Sequence, residues 1–207
     1  MPNNCQNRLT IAGRPEDVDA FVKKVNGPCQ HYKGSPKAKE SVFSFHQIVP
    51  IPDEVMEGKY DPNGYEAEHT LWGVKWGAYK EKLESHEPGR VIYTFTTAWG
   101  VAMTFFWEAS KLFPTLKFYI SYSCEGPSRG RFTWESGSST ELGSDYEEGE
   151  IWVNEQQRKR RREHPETLLE EWDDEDAKEE RLGALWSEWV KELVNTHDEW
   201  VEEKENG

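Results

Sequence analysis

A strand–helix–strand pattern that occurs twice is the feature that most restricts how this chain can fold. Residues 8–12 (RLTIA) alternate and stop at Gly13. Pro15, Glu16 and Asp17 then signal a helix start, with a proline in the first turn and acids facing the positive end of the helix dipole. Val18, Phe21, Val22 and Val25 recur at helical spacing until Asn26-Gly27-Pro28. Val42 to Val49 (VFSFHQIV) predicts a second strand, stopped by Pro50 and Pro52. The order repeats with a strand at Val91 to Thr97 (VIYTFTT) and a helix at Val101 to Phe113. Val101, Phe105, Ala109 and Leu112 or Phe113 share one face of that helix, and Pro114 closes it. Leu116 to Ser123 (LKFYISYS) alternates again through Leu116, Phe118, Ile120 and Tyr122. Two such units predict an α+β fold, a ferredoxin-like β-α-β-β-α-β sandwich with both helices on one face of an antiparallel sheet. Arg131 to Glu135 and Ile151 to Val153 are expected as extra edge strands.

Charge divides the chain. The net charge of −14 is unevenly spread: residues 1–124 carry 14 basic and 14 acidic side chains, and residues 163–207 carry four and 17. Ser136 to Glu150 is rich in Gly, Ser and acids, as a linker would be. The expected organisation is a domain over 1–135 with an insertion at about 50–90, a linker over 136–150, and a basic-then-acidic helical extension over 151–207.

Several classes fall away. No run of about 18 apolar residues is present to span a membrane, and the N-terminal residues lack the pattern of a secretory signal. Cys5, Cys29 and Cys124 are odd in number and widely spaced, so the expectation is a reduced, cytoplasmic protein without structural zinc. No phosphate loop, dinucleotide fingerprint, nucleophile elbow or zinc-binding histidine pair occurs, so no cofactor, metal or catalytic residue is assigned and the chain reads as non-enzymatic. Asp61-Pro62-Asn63-Gly64 opens like a calcium loop, but its Gly comes two positions early. His46 with Asp53 and Glu54 reads as surface strand and turn rather than an acid–base group.

The candidate binding residues fall into two sets. Trp72, Lys75, Trp76 and Trp99, with Arg158, Arg160 and Arg161 from a run of five cations, read first as structural, the indoles pinning a loop onto the sheet and the arginines pairing within the chain or facing solvent; the functional alternative is an aromatic and basic set suited to stacking and phosphate contact. Tyr93, Phe95, Phe118 and Tyr122 either stack bases from the open sheet face or pack under the helices. The extension carries the second set: Trp172, Asp173, Asp174, Glu175, Asp176, Glu179, Glu180, Trp186, Trp189 and Trp200. Its apolar stripe needs a surface to dock on, whether the core, a second copy of the chain or a partner, and its acids read first as a solvated face that confers solubility, with a negative ridge as the sharper alternative.

Asn4 to Gly13 (NCQNRLTIAG), Phe43 to Val55 (FSFHQIVPIPDEV), Leu71 to Ala78 (LWGVKWGA), Phe95 to Trp99 (FTTAW) and Leu112 to Leu116 (LFPTL) follow one another in an order and spacing that resembles the YubB-type ferredoxin-like family encoded by plasmids and phages. The resemblance covers about residues 1–135 and implies a ferredoxin-like fold, a mobile-element origin and hence the cytoplasm of a bacterial host cell, without a reaction. This chain departs from the family at Asn4, where Trp is common, and at Leu71 and Val74, where Asn and Thr are common. It departs also at Gly100-Val101-Ala102, which replaces Ser-Pro-Pro. The expected function is that of an accessory binding protein, its acidic helix mimicking nucleic acid in a basic groove of a host defence or nucleic-acid-handling protein. The alternative is a ferredoxin-like domain that binds single-stranded nucleic acid directly.

Overall fold

The computed structural model describes residues 3–35, 38–125, 129–141 and 196–206, together with Ala184 and Glu188. Its frame is an antiparallel six-stranded sheet. The strands are β1 (Asn4–Ala12), β4 (Tyr79–Glu87), β5 (Arg90–Ala98), β6 (Lys117–Cys124), β7 (Arg129–Glu135) and β8 (Ser138–Glu141), lying side by side in the order β4-β5-β1-β6-β7-β8. Two further strands, β2 (Gly27–Pro28) and β3 (Glu40–Ser41), form a small separate ladder. β1 lies at the centre, pairing with β5 from Asn4↔Ala98 to Ala12↔Arg90 and with β6 from Cys5↔Cys124 to Ala12↔Lys117.

The strand period of two sorts the side chains onto opposite faces. Leu9 and Ile11 of β1, Val91, Tyr93 and Phe95 of β5, Phe118 and Ile120 of β6, and Phe132 and Trp134 of β7 join one core. That core is covered by α1 (Pro15–Val25) through Val18, Phe21 and Val25, and by α5 (Met103–Leu112) through Phe105, Phe106 and Ala109. The ambiguity at the end of α5 resolves toward Phe113, which packs on Phe21 at 5.1 Å, while Leu112 faces solvent. Each large apolar side chain so buried contributes about 1.5–3 kcal/mol.

The stretch Val42 to Val49 is not a strand. Phe45–Ile48 forms the one-turn helix α2, and only Glu40–Ser41 pairs as a strand. The run is apolar without strict alternation, and a single helical turn sends both Phe45 and Ile48 into the core, where Phe45 stacks on Phe105 at 3.9 Å. The strand that fills the sheet position instead is β4, whose YKEKLESHE is mostly exposed and charged, as an edge strand requires. A further strand, β8, occupies part of the stretch read as linker. Ile151 to Val153 lies outside the described residues.

Between β3 and β4 come α2, the short helix α3 (Asp53–Met56), a turn at Tyr60–Gly64 and α4 (Tyr65–Trp72). Asp61 and Gly64 belong to that turn, with Gly64 packed so closely on the Tyr32 ring that a Cβ would lie 2.6 Å from it. Among the described residues no three His, Cys, Asp or Glu side chains are grouped to hold a metal ion. No helix of the described residues is long and apolar enough to cross a membrane.

The cysteine expectation is corrected. Cys5 and Cys124 sit opposite each other on β1 and β6 and are joined by a disulfide, with Cα atoms 3.8 Å apart. Only Cys29 is a free thiol. Antiparallel pairing brings the two together although 119 residues separate them along the chain, which spacing alone does not reveal.

The last element, α6 (His197–Asn206), lies across the other face of the sheet. Trp200 and Val201 pack with Ala12 and Tyr119 in a second, small apolar cluster, the Trp200 and Tyr119 rings meeting edge-on at 5.8 Å. His197 is buried with its ring nitrogens 3.0 Å from Thr10 Oγ1 and 2.7 Å from Ser121 Oγ. Burial holds its pKa down to about 3. Arg8 donates to both oxygens of Asp198, at 3.3 and 2.7 Å.

Candidate functional site

At the end of the sheet where β1 begins and β5 finishes, the sequence-predicted aromatic and basic residues divide. Trp72 closes α4, is fully buried, and donates its indole N–H to the Val49 carbonyl at 2.8 Å. Helical continuation would carry Trp76 to the same face. Gly73 prevents this by adopting φ 79° in the left-handed region, which costs glycine nothing and ends the helix. Trp72 is therefore an anchor in the core rather than part of a stacking platform.

Beyond Gly73 the chain turns outward. Lys75 places Nζ 4.2 Å from the ring centre of Trp76 and 5.8 Å from that of Trp99. Both indoles are large exposed apolar groups, at 42% and 57% of their full exposure. Both also sit at positive φ, 70° for Trp76 and 73° for Trp99, where a residue with a bulky side chain is rare and strained. Lys75 and Trp99, with Tyr65, His69, Val74 and Gly100, line a cleft of about 360 Å³. The Tyr65 and His69 rings stand 6.0 Å apart at its α4 side.

Glu68, which no sequence pattern marks, holds this geometry. Its carboxylate is fully buried and accepts hydrogen bonds from Gln30 Nε2 at 2.8 Å, Tyr32 O–H at 3.0 Å, Tyr60 O–H at 3.1 Å and the Trp76 backbone N–H at 2.6 Å. The last bond ties down the strained residue. Burial raises the Glu68 pKa above its ordinary value, against the opposing pull of those donors. On the other side, Trp99 donates its backbone N–H to the Asn3 carbonyl at 2.8 Å. Thr97 Oγ1 donates to the Gly100 carbonyl at 2.6 Å and fixes the turn that follows.

Three of the four core residues of the aromatic and basic set, Lys75, Trp76 and Trp99, thus come together, joined by Tyr65 and His69. Arg158, Arg160 and Arg161 lie outside the described residues, as do Trp172, Asp173, Asp174, Glu175, Asp176, Glu179, Glu180, Trp186 and Trp189. Trp200 is turned onto the sheet, so its indole is not on a free ridge. Tyr93, Phe95 and Phe118 are buried under the helices, and Tyr122 packs against the same core. None of the four stacks a base from an open face. His46 accepts from the Ile51 N–H through Nδ1 at 3.0 Å, and burial lowers its pKa, which makes it a brace for the chain entering α3.

The cleft can hold a flat ring against an indole face while Lys75 meets a carboxylate or phosphate. It is an open, partly apolar surface.

No family model matches the chain, and none of the curated proteins matches it. Among solved structures, the crystal structure of a protein api92 from Yersinia pseudotuberculosis, assigned to the family model DUF1281, is similar in fold. The TM-score is 0.51 at 10% identity, covering 69% of this chain and 99% of that one.

Proposed function

We propose that this chain is a non-enzymatic binding protein of phage or plasmid origin, built on a ferredoxin-like core of the YubB type, that acts on a host defence or nucleic-acid-handling protein. The cleft lined by Lys75 and Trp99, with Trp76 exposed beside Lys75, is its contact surface, and the acidic residues 163–195 engage a basic groove on the same partner. One observation carries the reading: two tryptophans are held exposed in a strained backbone around one cation. Neither exposure nor strain helps folding, and a set of groups kept at such a cost marks a contact site. The fold part draws support from the strand order β4-β5-β1-β6, which is the 2-3-1-4 order of a β-α-β-β-α-β sheet once β2 and β3 are set aside. The likeness to api92 adds to it.

The test is affinity capture from a bacterial lysate with the wild-type chain and with Trp76→Gly and Trp99→Gly. Glycine relieves about 1–2 kcal/mol of left-handed strain and gives back up to about 1 kcal/mol as unfolded-state entropy. Both variants should therefore be about as stable as the wild type in urea unfolding, yet lose the protein that the wild type retains. Equal capture by folded variants would overturn the assignment of the cleft.

A further inference from the structure

The face of the sheet opposite α1 and α5 presents three arginines, Arg8 on β1, Arg90 on β5 and Arg131 on β7. Strand alternation puts them there, because their neighbours Leu9, Val91 and Phe132 point into the main core. Lys82 and Lys117 share this face but are answered within the sheet by Glu84 at 2.8 Å and Glu135 at 3.8 Å. Arg8 and Arg90 are answered instead by α6. Arg8 grips Asp198 with Nε and Nη2 in a fork. Arg90 lies 3.9 Å from Glu205, and its buried Nε has no hydrogen-bond partner among the described residues. Arg131 is held from both sides, donating through Nε to Ser121 Oγ on β6 at 3.3 Å and to Thr196 Oγ1 just before α6 at 2.9 Å, and it stands 5.0 Å from the ring centre of Trp200. The Trp200 indole therefore fills a slot between a guanidinium and the edge of Tyr119.

We propose that this face is a binding site for single-stranded nucleic acid, covered in the intact chain by α6, with the Trp200 indole in the place of a base and the Asp198 and Glu205 carboxylates in the places of phosphates. A slot bounded by a guanidinium and an aromatic edge suits any base, since every base has a π-face. A forked arginine grips a phosphate as it grips a carboxylate. The unsatisfied Arg90 Nε is a donor that the helix leaves idle and a phosphate oxygen can use. The cover is also lightly held: only Trp200 and Val201 of α6 add apolar burial, and Glu199, Glu202, Glu203, Lys204 and Glu205 are exposed. An element with so few apolar contacts opens locally before the rest of the fold. The site is separate from the aromatic cleft and does not depend on the function proposed for it.

The full-length chain is compared with Asp198→Lys, which repels Arg8 at a partly exposed position, and with Trp200→Glu, which empties the slot. Hydrogen exchange over 117–124 and 197–206 reports release of the helix, and anisotropy of a labelled oligothymidylate of about 15 nucleotides reports binding. The uncovered variants should bind at least about tenfold more tightly than the wild type, because the fraction of open sites rises. The gain should fall steeply with salt and vanish when Arg8→Ala and Arg131→Ala are added. Should Trp200→Glu fail to fold, Asp198→Lys carries the test alone. Released helix with unchanged oligonucleotide affinity overturns the proposal, as does a helix that stays protected in both variants. A gain that survives removal of the arginines also overturns it. So does binding of a polyglutamate peptide in place of the oligonucleotide, which would make the face a site for acidic protein segments.

Discussion

At the scale of single residues, Glu68 shows how a buried charge can serve an exposed surface. Its four donors hold the carboxylate where burial disfavours it, and one of them is the backbone of Trp76. Removing the acceptor in Glu68→Ala orphans buried donors and should cost about 3 kcal/mol in urea unfolding. Glu68→Gln separates charge from shape. Because the folded pKa is raised, the stabilising contribution of the proton on Glu68 is fully present below the unfolded value of 4.5 and is lost as pH rises through the folded pKa. The wild type minus Gln difference in stability should therefore shift against the wild type over that window and stay flat above it. A flat difference throughout would show that the four donors cancel the burial. Sequence could not point to Glu68, because a buried carboxylate and an exposed one look alike until the two tyrosines and Gln30 are brought around it. Lys75, Trp76 and Trp99 were legible as a group but their exposure was not, because tryptophan is buried on average and i,i+4 spacing puts Trp72 and Trp76 on one face. The opposite fates of Trp72 and Trp76 hang on the left-handed turn at Gly73.

At the scale of elements, α6 is an acidic helix whose docking depends on a neutral histidine. His197 is held near pKa 3 by burial, with Arg8, Arg90 and Arg131 adding to the depression, Asp198 opposing it, and Thr10 and Ser121 as its hydrogen-bond partners. Stability from this group is present above the unfolded value of 6.5 and is lost as pH falls toward about 3, by up to about 1.4 kcal/mol per pH unit. Exchange protection of residues 197–206 should thus collapse on acidification ahead of the main sheet, and His197→Asn should flatten the response. Protection that falls in step for helix and sheet would refute it. The central elements were readable because β1, α1, β5, α5 and β6 each carry one clean period and face the same core. The strand misplaced at Val42 to Val49 and the unannounced β4 share one cause. An apolar run without alternation packs equally well as a helical turn, and an edge strand buries too little to display a pattern.

At the scale of the molecule, three closures tie the chain together: the sheet, the Cys5–Cys124 disulfide and the return of α6 to β1 and β6. Cys5→Ser with Cys124→Ser should lower stability by about 2–4 kcal/mol, since the bond restrains a long loop of unfolded chain. Urea midpoints of the two proteins check this, and equal midpoints would mean that pairing of β1 with β6 already supplies the restraint. The return of α6 has a kinetic side as well. Residues 142–195 join two points of one folded body, so the helix is a ligand that never leaves its receptor's neighbourhood. Being part of the same chain keeps that ligand at an effective concentration, on the order of a millimolar, that does not fall with dilution of the protein. Any rival for the same surface must compete against that figure. A single proteolytic nick between 142 and 195 would remove it, turning a first-order reclosure into a second-order encounter and letting dilution alone strip the helix away.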